Sequence, residues 1–471
     1  MVLLDDVHSQ LNPTQVDRVL RPASVDDVRA AVKQARGRSQ PLSISGGRHA
    51  MGGQQFATGA LHLDMTGLAD VVDVDAERGL LHIGAGATWP RILEAANAMR
   101  GPDGRAWAIR QKQTGVDEVT LGGSIAANAH GRGLLMPPLV DDIESVMVVD
   151  AQGQLLRASR DENAELFSLV AGGYGLFGVV VSATLRLVPR QRVQRLVDVL
   201  DLRDAMHAVR RRVDDGCLYG DFQFAIDPRD RGFLQRGVFA CYRPVDEPDG
   251  VADDTHASAD LSSAAWLDLL RLAHTDKAAA FRLYAQHYIG THGRTYWADA
   301  MQLATYIPSY ADFLANAEGD AAPVKPRETL VIGEHYVPRD RIADYMERAR
   351  EVLLRTGTEV IYGTIRSILR DDTSFMPWAR DDVACVVFNL RTPHTDVGRA
   401  RTGDAFRGLI QAALDLDGSF FLTYHRHATR EQLLRGHPRL REFLARKLEH
   451  DPHEVFQSDW YRHVRDLIGA A

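Results

Sequence analysis

Pro41-Leu-Ser-Ile-Ser-Gly-Gly-Arg-His-Ala-Met-Gly-Gly-Gln54 is the stretch that decides the fold. A short run of apolar and small residues, read as a strand over 41–45, ends at a glycine pair. Arg48 and His49 follow, and a second glycine pair closes the turn. Glycine permits positive φ and close approach of backbone to a ligand. His49 inside such a loop sits where its ring can touch whatever the backbone cradles.

Two further glycine segments follow. Thr120-Leu-Gly-Gly-Ser-Ile-Ala-Ala-Asn-Ala-His-Gly-Arg-Gly133 has a Gly-Gly-Ser entry, a small-residue run and a His-Gly exit. Its small side chains would let backbone amides reach phosphate oxygens. Ala171-Gly-Gly-Tyr-Gly-Leu-Phe-Gly178 holds a formal G-x-G-x-x-G at Gly173, Gly175 and Gly178. A Rossmann site needs a strand before that pattern and a helix after it. Here a helical segment, 161–170, precedes it and an alternating strand, 179–187, follows, so the Rossmann reading is rejected.

In order and spacing the three segments resemble the FAD-binding domain of the vanillyl-alcohol oxidase / p-cresol methylhydroxylase family. That resemblance implies an α+β chain in three parts. Residues 1–190 are expected to form an FAD-binding domain of two α/β subdomains. Residues 191–430 are expected to form a substrate domain, an antiparallel sheet flanked by helices. Residues 431–471 are expected to return to the FAD domain, ending in an Asp451-Pro452 and a phenylalanine, Phe456, as in relatives.

The same resemblance assigns FAD contacts to Ser45, Gly46, Gly47, Arg48, His49, Ala50, Gly53 and Gln54. Thr114, Thr120, Leu121, Gly122, Gly123, Ser124, Ala127, His130 and Gly131 would supply the second segment, and Gly175, Gly178, Val179 and Val180 the third. His49 matches the histidine that often bonds covalently to the 8α-methyl of the flavin. Ala50 stands where serine is usual. The three cysteines, Cys217, Cys241 and Cys385, lie outside this domain, which excludes a second covalent link through sulfur.

Composition sets bounds. The chain has 471 residues, 45% hydrophobic and 25% charged, ordinary for a globular protein with a large core. Its net charge of -8, from 55 basic and 63 acidic residues, argues against a nucleic-acid partner. No apolar run reaches the length of a membrane span. The first residues carry no signal-peptide pattern. The cysteine spacing gives neither a disulfide framework nor a zinc pattern, so a reducing cytoplasm and no metal are expected.

Oxidation by a flavin requires a group to receive the substrate's proton. Three clusters in the second domain are candidates. Gly333-Glu-His-Tyr-Val-Pro-Arg339 resembles the strand end of sugar-lactone and alditol oxidase-like members, and offers His335 and Tyr336. Alternation sends Glu334 and Tyr336 to one face and His335 to the other. Tyr362-Gly-Thr-Ile-Arg-Ser367 places Arg366 where alditol oxidase-like enzymes carry an arginine, but Thr364 replaces their glutamate. Tyr424-His-Arg-His427, read as the end of a strand over 419–425, offers His425; its H-x-H spacing also suits a metal, though no acidic or cysteine partner is nearby in sequence.

The function expected is FAD-dependent oxidation of a small alcohol, polyol, sugar-like molecule or amine, with oxygen or another acceptor reoxidising the flavin. Flavin-dependent reduction of a carbon–carbon double bond and a non-catalytic binding role are the alternatives.

Overall fold

The computed structural model describes residues 1–246, 263–304 and 326–469, without the side chains of 263 and 264. The α+β class is as expected.

Near the N-terminus, Arg18–Leu20, Leu61–Asp64 and Leu42–Ser45 form a three-stranded parallel sheet with Leu61–Asp64 in the centre. The helix Val25–Gly37 covers it. Its start is set locally: Ser24 accepts from the Asp27 amide, and the Asp27 carboxylate accepts from the Ser24 amide, a reciprocal cap. Val28, Ala31, Val32 and Ala35, at helical spacing, are the residues it buries.

A second, five-stranded antiparallel sheet runs in the order 155–159, 143–149, 179–186, 80–84, 71–75. The helices Trp89–Ala98, Leu121–Ala127 and Ala164–Val170 contribute to one core with it. Ala164–Val170 precedes the third glycine segment and the strand Val179–Arg186 follows it, the order that excludes a Rossmann turn.

The third sheet has eight strands, all antiparallel: 295–297, 192–201, 236–245, 219–224, 360–368, 383–393, 328–338 and 419–420. Leu202–Asp214, Ile342–Thr356 and Asp396–Leu414 pack on one of its faces through Ala205, Tyr345, Met346 and Leu409. The other face looks toward the glycine segments.

The C-terminal helices return to the first part of the chain. Leu433, Phe443, Trp460 and Val464 join the core of the five-stranded sheet. Phe456 bridges to Leu42 in parallel, with the Leu42 amide donating to the Val455 carbonyl at 2.7 Å. The return of Asp451–Phe456 therefore braces the strand that leads into the His49 loop.

Three expectations need correction. Residues 421–427 are not strand: the strand stops at Phe420, and the chain turns through Tyr424 to His427. The sequence pattern reads as a helix over 404–416, but the helix begins at Asp396, capped by Thr395, whose hydroxyl accepts from the Gly398 amide. Gly398 and Gly403 within it weaken the apolar periodicity that would have revealed its first two turns. Within the second glycine segment, Leu121–Ala127 is a helix rather than an open nest, capped by Thr120. The sequence also reads as a loop over 318–326, which lies almost wholly outside the described residues.

Candidate functional site

A cavity of about 620 Å³ lies between the glycine segments and the open face of the eight-stranded sheet. On the first side it is lined by Ser45, Gly46, Gly47, Arg48, His49, Ala50 and Gln54, by Thr114, Thr120, Gly122, Gly123, Ser124, Ala127 and His130, and by Gly175, Gly178 and Val180. Four expected contacts lie outside it. Leu121 and Val179 are buried in the cores behind it. Gly53 faces Arg426 and Asp459, and Gly131 faces Gln111 and Lys112.

The glycines serve a purpose that the sequence hides: they let loops touch. A Cβ on Gly46 would stand 2.0 Å from Thr120 Oγ1, on Gly47 2.4 Å from the Glu118 carbonyl, and on Gly52 2.2 Å from the Tyr424 carbonyl. The first loop is thereby clamped onto the second and onto the turn that follows the strand at 419–420. Arg48, at φ 59°, is a non-glycine residue in the left-handed region at the apex of the turn.

His49 is held from the N-terminal segment. Its Nδ1 lies 2.8 Å from His8 Nε2, with the ring centroids 4.8 Å apart. Burial, reinforced by His8, brings its pKa down to about 3, so the imidazole is neutral in the ordinary pH range.

The second side of the cavity is built by register. Across the strands 328–338, 383–393 and 360–368, Ile332, Asn389 and Tyr362 form one row, Glu334, Val387 and Thr364 the next, and Tyr336, Cys385 and Arg366 the third. Since side chains alternate, these rows share the cavity face. Glu334, Tyr362, Arg366, Val387 and Asn389 reach the cavity, as do Asp221, Gln223, Arg132 and Tyr424. Arg132 stands 3.6 Å from Asp221 and donates to the Met301 carbonyl at 2.7 Å.

Of the four residues proposed for proton chemistry, only Arg366 lines the cavity. Tyr336 lies behind it, fully buried and stacked on Trp378 at 4.3 Å, and donates to Glu334. His335 faces the opposite side, among Tyr345, Phe388 and Phe406, with neither ring nitrogen hydrogen-bonded among the described residues. His425 stacks on His427, 5.6 Å away, outside the cavity. The structure does not bring these two histidines together with Arg366.

The group that sequence reasoning passed over is Glu334. Its side chain is 4% exposed and collects three partners: His130 Nε2 at 2.8 Å, the Tyr424 hydroxyl at 3.2 Å and the Tyr336 hydroxyl. Burial alone would raise its pKa; His130, Tyr336 and Arg366 hold it below the ordinary carboxylate value. A carboxylate in the middle of an otherwise buried strand was the available signal, since such groups are rarely buried unless paired. His130 Nε2, Glu334 and Cys385 Sγ lie within 4.8 Å of one another.

The residues on the first side fit a large polar cofactor. Ser124 Oγ, Thr114 Oγ1, Gln55 Oε1 and Gln113 Oε1 are buried with no hydrogen-bond partner among the described residues, and all four residues line the cavity. Unpaired polar atoms converging on one cavity are what a ligand with many acceptors and donors would satisfy.

Comparison with known proteins agrees. Residues 16–159 match a family model described as FAD binding domain. Cytokinin dehydrogenase 10 of Oryza sativa subsp. japonica is 29% identical over 181 residues, 36% of this chain and 32% of that protein. An uncharacterized oxidoreductase, ORF5 in the fasciation locus of Rhodococcoides fascians, is 34% identical over 169 residues, 36% of this chain and 37% of that protein. The FAD-linked oxidoreductase tazG of Aspergillus terreus (strain NIH 2624 / FGSC A1156) is 37% identical over 172 residues, 36% of this chain and 32% of that protein. The chain thus spans about a third of the length of these relatives. It carries an FAD-binding domain of the p-cresol methylhydroxylase type, and its cofactor is FAD. No helix among the described residues is long and apolar enough to cross a membrane.

Proposed function

We propose that this chain is an FAD-dependent oxidoreductase that removes two electrons from a small organic substrate bearing an O–H or N–H group. The observation that carries the reading is a shared cavity with flavin-domain loops on one side and Arg366, Glu334, Tyr362 and Asp221 on the other. Residues 1–190 would hold the cofactor, 191–430 would cover it, and 431–471 would brace the first loop.

When bound, FAD supplies a hydride acceptor at N5 and needs donors or positive charge near N1 and O2. The helix Leu121–Ala127 brings Gly122, Gly123 and the Ser124 hydroxyl to the cavity, while its first amides are taken up by Ala87, Ala85 and Thr120. Arg366 supplies a cation on the sheet side, and its Nε has no partner among the described residues. Arg132 and Asp221 offer a paired donor and acceptor for polar substrate groups. The neutral ring of His49 is the nucleophile through which we propose a covalent link to the flavin. Two relatives are named for substrates, cytokinin dehydrogenase 10 and L-galactono-1,4-lactone dehydrogenase 2, mitochondrial, and these names set the range of amine and sugar-lactone compounds to screen. Free thiols at all three cysteines are compatible with a reducing cytoplasm.

The test is anaerobic bleaching of the flavin spectrum. The full chain is supplied with FAD and mixed with a panel of alcohols, sugar lactones, hydroxy acids and amines. Bleaching by one class, recovered on admitting oxygen or a dye acceptor, supports the reading. A protein that retains no flavin, or a flavin that no member of the panel reduces, overturns it.

A further inference from the structure

The tautomer of His130 is fixed by what surrounds it. Nδ1 lies 2.9 Å from the Gly131 carbonyl, which can only accept, so Nδ1 carries a proton. Nε2 lies 2.8 Å from Glu334 Oε1. A neutral imidazole with its proton on Nδ1 presents a lone pair at Nε2, and an ionised carboxylate presents only lone pairs. Two acceptors at that distance need a proton between them. The pair therefore holds one proton more than a neutral histidine beside a carboxylate, either on Nε2 or on Oε1.

Both oxygens of Glu334 also receive phenols, Tyr336 at Oε1 and Tyr424 at Oε2. Burial first, and the Glu334 charge after it, keep both phenols protonated far above neutral pH. Also around the cluster are Cys385, whose Sγ lies 3.6 Å from His130 Nε2, Arg366, the neighbour of Cys385 across the strands, and Tyr174 at the cavity, whose phenol burial and then the Glu334 charge keep protonated. Burial likewise keeps the Cys385 thiol protonated. Of the two phenols bonded to Glu334, only Tyr424 borders the cavity.

We propose that His130, Glu334 and Tyr424 form a built-in proton acceptor for the oxidation, with Tyr424 as the catalytic group at the cavity and Glu334 and His130 holding the proton behind it. The proposal rests on the oxidoreductase reading given above. The step balances as follows. Bound FAD would supply the acceptor for the substrate's C–H hydrogen and both electrons of that bond. The substrate's O–H or N–H proton passes to the Tyr424 oxygen as the Tyr424 proton passes to Glu334 Oε2, and a C=O or C=N bond forms. The pair then carries a second proton and gains one positive charge. Tyr336 is a positioning residue, since it does not reach the cavity.

Two measurements test this without a known substrate. The first needs no cofactor: nitrogen-15 NMR of the histidine-labelled full chain. His130 is expected to show protons on both nitrogens, or one proton shared with Glu334, and in Glu334→Gln to revert to a neutral ring protonated at Nδ1 alone. A His130 signal that is neutral and identical in wild type and Glu334→Gln overturns the proposal. The second uses the FAD-loaded chain, photoreduced anaerobically with a pH indicator. Wild type is expected to take up about one proton per flavin more than Glu334→Gln, with Tyr424→Phe slowing uptake at least tenfold while NMR shows the pair intact. Equal uptake and equal rates in all three proteins overturn it. Failure to load FAD would count against the oxidoreductase reading and leave the NMR result to decide the cluster.

Discussion

Replacing Asp451 with alanine should be among the most costly single changes in the chain, and the structure says why. The carboxylate is buried, 1% exposed, beside a Lys447 ammonium that is itself 0% exposed. One oxygen accepts the Val455 amide at 2.9 Å and the other the Phe456 amide at 2.8 Å. Removing it strands a buried cation, worth about 3–5 kcal/mol. It also leaves two amides unsatisfied, at about 1–3 kcal/mol each. One group serves all three partners, so the losses overlap, and about 4–6 kcal/mol is expected. Those amides open the segment that pairs with Leu42, so the strand entering the Gly46–His49 loop should loosen with it. The assay is equilibrium denaturation followed by tryptophan fluorescence, since Trp460 packs on Tyr174 nearby, 5.0 Å between rings. Lys447→Met should cost less, about 2–3 kcal/mol, because the two amides still satisfy the carboxylate. The double variant Lys447→Met with Asp451→Asn should recover at least ~2 kcal/mol relative to the sum of the single changes. Excess FAD should return ~2.7 kcal/mol at a hundredfold excess over its dissociation constant, if the loosened loop still binds it. A loss for Asp451→Ala within ~1 kcal/mol of wild type would refute the reasoning, for it would show that the buried charge relaxes to water at little cost.

The remaining predictions concern pH, loop contact and attachment. The folded pKa of His335 is about 3, lowered by burial, against an ordinary value of 6.5. Between those values the unfolded chain binds the extra proton, so stability present above pH 6.5 is lost as pH falls. His335→Leu should flatten that slope by up to ~1.4 kcal/mol per pH unit and leave pH 8 stability nearly unchanged; equal slopes in the two proteins would contradict it. Gly46→Ala should weaken FAD binding by an order of magnitude or more, because the new methyl meets Thr120 Oγ1 and overpacking costs about 1–3 kcal/mol; an unchanged dissociation constant by flavin fluorescence would show that the loops do not need to touch. After acid precipitation, flavin colour should stay in the wild-type pellet and move to the supernatant for His49→Ala. Colour in the wild-type supernatant would remove the covalent bond and keep the cofactor.

Much of the FAD domain was legible because its signals are local. The alternation over 179–187 and the short apolar run over 41–45 each depend on residues close in sequence, and the strands Val179–Arg186 and Leu42–Ser45 lie where those patterns place them. The catalytic side was less legible because it is assembled by register between strands far apart in the chain. Glu334 meets His130 across 204 positions, and no local pattern records that meeting. His335 and His425 drew notice for their chemistry alone. The structure gives each a packing position instead, one among aromatic rings and one against His427.

The glycine segments illustrate how one pattern serves two purposes. They were read as places where backbone approaches a ligand, and seventeen of the twenty-one assigned residues do border the cavity. The close approaches of Gly46, Gly47 and Gly52, however, are to other parts of the protein: Thr120, Glu118 and the Tyr424 carbonyl. Tyr424 thus sits at a joint where the first flavin loop, the turn that follows the strand at 419–420 and the sheet-side carboxylate meet. Its backbone carbonyl touches Gly52, and its hydroxyl reaches Glu334. A shift of the Gly46–Gly53 loop on cofactor binding would be transmitted to the phenol through that contact, because a close-packed joint has no free volume to absorb it. The cofactor loop and the proton-holding cluster are therefore mechanically one unit. Gly52→Ala should accordingly disturb both FAD affinity and the Tyr424–Glu334 hydrogen bond. A variant that loses one while keeping the other would separate them.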